Sequence, residues 1–122
     1  MFICRFGEAR DSLISEFAKK YLIGKKILEI GCEEGDRTKL FYTVSNQVIG
    51  LDIVDTVKNE HKKQFSFLLA DARKLPFASG TFDAVVSFDA IEHIDDDKDV
   101  FTERCSVYVK KEAFCFLVLL ID

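Results

Sequence analysis

Five short apolar runs punctuate this chain, at residues 26–30, 48–51, 65–69, 82–88 and 114–121. The first four each close within two residues on a glycine or an aspartate: Gly31, Asp52, Asp71 and Asp89. Runs this short, apolar on successive positions, fit strands covered on both faces of a parallel sheet. Between them lie stretches with helical spacing. Over residues 8–22, Ala9, Leu13, Ile14, Phe17, Ala18, Tyr21 and Leu22 fall on one helix face, and Gly24 stops it. A short helix is expected from about Asp36, with Leu40, Phe41 and Val44 inward, and a polar helical stretch over 54–63. Residues 75–80 read as a loop. The acidic run 95–97 starts a last helix, with Val100, Phe101, Cys105 and Tyr108 on one face. Strands alternating with helices predict an α/β fold with a parallel sheet.

Composition bounds the function. A chain of 122 residues reads as one domain, and 48% hydrophobic with 31% charged residues is a globular balance. The net charge of −4 gives no general pull toward nucleic acid or anionic membranes. The longest apolar run, 113–121, falls well short of the ~20 residues a spanning helix needs. Arg5 and Glu8 interrupt the N-terminal apolar stretch, so no signal peptide is expected. Cys4, Cys32, Cys105 and Cys115 form no CxxC pair, which argues for reduced cytoplasmic thiols and against a zinc site.

In a parallel sheet, ligands bind beyond the carboxyl ends of the strands. There this sequence places Glu29 to Gly35, Asp52, Asp71 with Ala72, and Ser87 to Asp89. Gly31 and Gly35 permit a tight turn and close ligand approach. Asp52 stands 21 residues after Gly31, the distance at which a carboxylate accepts both hydroxyls of a ribose. A dinucleotide loop wants glycines at offsets zero, two and five; here those positions hold Gly31, Glu33 and Asp36. Glu33, Glu34 and Asp36 would repel a pyrophosphate, which disfavours a nicotinamide oxidoreductase. A nucleoside ligand with a positive centre and no phosphate suits this loop.

These residues resemble the class I S-adenosylmethionine-dependent methyltransferases. Residues 27–35, ILEIGCEEG, look like the first motif of that family. Residues 75–94, LPFASGTFDAVVSFDAIEHI, are closely similar to its small-molecule branch (methyltransferase type 11), which includes the quinone-biosynthesis enzymes. The resemblance covers residues 25–122. It implies a Rossmann-like, three-layer α/β/α fold whose mostly parallel sheet runs 3-2-1-4-5, numbering the five runs in order. Residues 1–24 would be an N-terminal helix and 25–122 the cofactor-binding core. The implied activity is methyl transfer from S-adenosylmethionine to a small-molecule acceptor, leaving S-adenosylhomocysteine. The Glu29–Gly35 turn, Cys32 included, would hold the methionine part. Asp52 would bind the ribose, Ile53 would pack on the adenine, Asp71 would accept from its amino group beside Ala72, and Phe88 would border the sulfonium.

Other readings stand beside these. Asp52 and Asp71 could be ordinary caps, and Asp83 reads as a structural corner. His93 is the candidate base, against a plain packing role beside Glu92. His61, in a charged run, reads as solvated surface. No metal site is expected. The family usually has glycine where Glu33 stands, and it carries two further strands after the fifth. Their absence would leave 114–121 as a bare sheet edge, to be covered by a homo-oligomer or a partner protein. The alternative function is a catalytically inactive protein of this fold that binds the cofactor or serves as a partner subunit.

Overall fold

The computed structural model describes residues 1–6, 11–88 and 98–120. Its strands are β1 (Phe2–Phe6), β2 (Lys26–Ile30), β3 (Gln47–Asp52), β4 (Ser66–Leu69), β5 (Ala84–Phe88) and β6 (Phe116–Leu120). Its helices are α1 (Asp11–Tyr21), α2 (Lys39–Tyr42) and α3 (Lys98–Ser106). The strands form one sheet in the order β1-β6-β5-β2-β3-β4, every pair parallel. The five expected strands thus adopt the expected 3-2-1-4-5 order. Among the described residues, no helix is long and apolar enough to cross a membrane.

The alternation of side chains along each strand sorts the core into two layers. Leu28 and Ile30 of β2, Val85 of β5, and Leu117 and Leu119 of β6 pack with Phe101 and Cys105 of α3. Ile27, Ala84, Val86 and Val118 point to the other face, against Ile14 and Ala18 of α1 and Phe41 of α2. Glu29 alternates with Leu28 and Ile30, so it shares the Ile27 face beneath α2. It is the one charged residue inside β2's buried stretch, and its position is taken up below.

Three expectations change. First, residues 1–24 are not helical throughout: Phe2–Phe6 is a strand, pairing Phe2 with Phe116 and Cys4 with Val118. The run 114–121 is therefore flanked on both sides over β6, by β5 and β1. Among the described residues the outer strands are β1 and β4, and the sheet-edge argument for a covering partner at 114–121 falls away. Second, residues 54–63 form turns rather than a helix. Their backbone donors are diverted to side chains: Ile53 and Val54 N–H to Asp52 Oδ1, and Val57 N–H to Asp55 Oδ1. Such local bonds compete with helix formation. Third, the helix expected from Asp36 is only Lys39–Tyr42. Thr38 at its start makes no side-chain cap: its own backbone is helical, at φ −56° and ψ −30°, and its hydroxyl turns to donate to Glu29.

Candidate functional site

The turn after β2 is built from left-handed backbone. Gly31 has φ 79°, Glu33 φ 50° and Gly35 φ 93°. Gly31 and Cys32 N–H both donate to Leu51 O, at 2.7 and 3.1 Å, which fastens the turn to β3. Asp52, at the end of β3, completes the attachment. Its Oδ2 accepts Glu33 N–H at 2.8 Å, while its Oδ1 accepts Ile53 N–H at 2.8 Å. A carboxylate offers about four lone-pair sites, so acceptor capacity remains.

This turn borders an open cavity of about 300 Å³. Of the residues expected at the site, Glu29, Gly31, Cys32 and Phe88 line it; Glu33, Glu34, Asp36 and Arg37 line it as well. Glu29 is 1% exposed. Burial pushes its carboxyl up to about 8, against the downward pull of the Thr38 hydroxyl bond and the Arg37 charge. Cys32 is pushed up to about 12, by burial first and then by Glu29 and Asp52, so it stands as a neutral thiol. Phe88 stacks on Phe41 with ring centroids 5.7 Å apart, and the Arg37 guanidinium lies 5.3 Å from its ring centre.

The remaining expected residues are not among the cavity's lining: Gly35 lies in the turn, Asp52 and Ile53 at the end of β3, and Asp71 and Ala72 just after β4. Ile53 is 64% exposed. Ala72 is buried in the α3-side core. Asp71 grips Arg73, with Nη2 to Oδ2 at 2.8 Å and Nε to both oxygens at 3.1 and 3.2 Å. That bond holds the Asp71 carboxyl down at about 2. Asp52 and Asp71 thus occupy adjacent strand ends, linked by Ala70 N–H donating to Asp52 O at 3.0 Å, and neither is among the cavity's lining residues. Asp89, Glu92, His93 and residues 95–97 lie outside the described residues.

Asp83 is structural, as read: it accepts Lys26 N–H at 2.9 Å and pairs with Lys110 at 3.1 Å. Burial works against its ionisation, but these partners together hold its carboxyl below the usual range. His61 is a correction. It is 4% exposed, not solvated. Its Nδ1 bonds Tyr42 Oη at 2.8 Å and its Nε2 bonds Asp36 Oδ1 at 3.0 Å. Gly35 lies flat against the ring; a Cβ there would come within 3.1 Å of it. Lys58 closes the same network, 2.8 Å from Asp36 and 3.3 Å from Glu34. Nothing local distinguishes His61 in its charged run, since its burial depends on a turn 25 residues away.

Comparison with known proteins gives this arrangement its relatives. A family model described as a methyltransferase domain matches residues 28–117. The O-methyltransferase rstn1 of Aspergillus nomiae is 32% identical over 69% of this chain and 42% of its own length. The mitochondrial ubiquinone biosynthesis O-methyltransferase of Bos taurus is 32% identical over 88% of this chain and 33% of its own. The chain therefore spans a third to a half of the curated relatives it matches. Among solved structures, the YcgJ protein of Bacillus subtilis superposes with a TM-score of 0.69 at 18% identity, over 83% of this chain and 47% of that one. That likeness shows the Rossmann-like methyltransferase fold, and the family match, which runs from within β2 to the start of β6, places the chain in the methyltransferase-domain family.

Proposed function

We propose that this chain binds S-adenosylmethionine across the ends of β2 and β3 and serves methyl transfer to a small-molecule acceptor. The observation that carries the reading is the Asp52 carboxylate, bonded to the Glu33 amide of the left-handed turn beside an acidic cavity. The donor set fits the ligand: carboxylates for cationic centres, an aspartate at the strand end for sugar hydroxyls, and exposed Ile53 as an apolar floor for a base. When bound, the cofactor supplies an electrophilic methyl on a sulfonium, which transfers in line to the acceptor's nucleophile with the bonding pair left on sulfur. The chain's own contribution is positioning. Asp52 and the turn fix the nucleoside end, while Phe88 and Phe41 form an apolar wall beside the cavity. With four free cysteines, the same proposal sets the protein in the cytoplasm.

Calorimetric titration with S-adenosylhomocysteine tests this. Micromolar binding that Asp52→Ala weakens at least tenfold supports it. No binding, or equal binding by the variant, refutes it. A second reading has its own observation: Glu33 sets a like charge and a strained backbone where the family usually has glycine. On that reading the fold binds cofactor without turnover. Tight binding together with no methyl transfer across an acceptor panel would favour it.

A further inference from the structure

The segment 58–61 packs on the Glu34–Asp36 end of the turn after β2. Lys58 N–H donates to Glu34 O at 2.9 Å, and the His61 ring lies against Gly35. That contact brings Asp36, Glu60 and His61 together, with one ligand-type atom of each within 4.8 Å of the others. We infer that these three side chains form a site for a divalent transition metal, and that zinc is the metal it takes best. The site goes beyond the proposed cofactor chemistry and does not rest on it. The sequence expectation of no metal site rests on spacing, whereas Asp36 and His61 stand 25 residues apart and meet only in the fold.

The cluster is more than a group of acids, because a buried imidazole is aimed into it. The His61 side chain is 5% exposed, and its ring is fixed by Gly35 against it and by Tyr42 Oη 2.8 Å from Nδ1. The Tyr42 oxygen can accept Nδ1–H, which leaves the Nε2 lone pair turned toward Asp36 Oδ1 at 3.0 Å and Glu60 Oε1 at 3.5 Å. Metal-bound histidines are oriented by such a bond on the second nitrogen. Ligand atoms ~2.0 Å from a tetrahedral zinc stand ~3.3 Å apart, so both nitrogen–oxygen spacings already suit that metal. Both carboxylates are exposed, so their own spacing can close around a cation. Lys58 holds the other Asp36 oxygen at 2.8 Å, which leaves Oδ1 turned to His61. Around a neutral imidazole, the carboxylates of Glu34, Asp36 and Glu60 stand against the one Lys58 ammonium, and a dication balances the excess. The imidazole selects zinc over magnesium and calcium, which take oxygen ligands.

Zinc titration of the reduced full chain, with no nucleoside present, tests this. One equivalent is expected to bind in the micromolar range, and millimolar magnesium should not displace it. Cobalt in place of zinc should give the visible bands of a nitrogen–oxygen site, without the intense near-ultraviolet band of a thiolate ligand. Glu60→Gln alters only an exposed side chain, so the fold stands, and it should weaken zinc roughly tenfold or more. Asp36→Asn should do the same. Glu16→Gln, which changes an exposed acid on α1, should leave zinc affinity unaltered. Absence of zinc binding, equal binding by Glu60→Gln, or a thiolate band from the cysteines overturns the inference. Because no nucleoside enters the experiment, each of those results leaves the cofactor proposal standing.

Discussion

Glu33 carries a cost that its sequence neighbours do not explain. At φ 50° its Cβ crowds the backbone, which costs roughly 1–2 kcal/mol for a residue other than glycine. Glycine loses more freedom on folding, so Glu33→Gly should stabilise the protein by about 1 kcal/mol net, read from the urea midpoint. Glu33→Ala, equally strained, should gain nothing comparable. Glu29 makes a prediction about pH. Its pKa rises from 4.5 to about 8 on folding, so its contribution to stability is whole below 4.5 and is lost as pH climbs toward 8. Between about pH 4 and pH 7 that loss is on the order of 3 kcal/mol. Glu29→Gln keeps an acceptor for Thr38 and should remove this slope. Parallel slopes in the two proteins would show that Glu29 is ionised in the fold.

β1 pairs with β6 over five residues, and Phe116 adds an aromatic cluster at the start of that pairing. That ring is 5% exposed and stacks on Phe2 at 5.7 Å, meets Phe17 edge-on at 5.3 Å, and touches Tyr21 at 5.3 Å. It therefore joins β6 to both β1 and α1. Phe116→Ala should cost about 3–5 kcal/mol in denaturant unfolding and expose β6 as an apolar edge, seen as self-association in size-exclusion chromatography. A loss below about 1 kcal/mol would show that the cluster is not a packed core. The strand itself was hard to read. Residues 2–6 alternate Phe-Ile-Cys-Arg-Phe with no turn signal before them, and their partner lies more than a hundred residues away. The turns at 54–63 were missed for the opposite reason: short-range bonds from Asp52 and Asp55 override a helix-like composition.

Among the described residues, the sheet has both faces covered, and the cavity lies at the carboxyl ends of β2 and β5. Ligand binding at that end should stabilise every layer together. At a concentration about 100 times Kd, S-adenosylhomocysteine should add about 2.7 kcal/mol, a rise of several degrees in Tm. Asp52→Ala, binding at least tenfold more weakly, should cut that gain to about 1.4 kcal/mol or less. An unchanged Tm for wild type at saturation would contradict binding at this site.

The order of the strands was implied by the family resemblance alone; five strands and the carboxylates at their ends follow from local pattern, because apolar runs and terminating residues are short-range properties of a chain. The turn at Gly31–Gly35 and the structural role of Asp83 were legible for the same reason. What packing alone decided is the charge state of Glu29, the burial of His61 against Gly35, the seat of Arg37 on Phe88 and the joining of β1 to β6. Each of these depends on groups distant in sequence being brought to within a few ångströms, where desolvation and Coulomb energy act; neither force is written in the order of residues until the sheet exists.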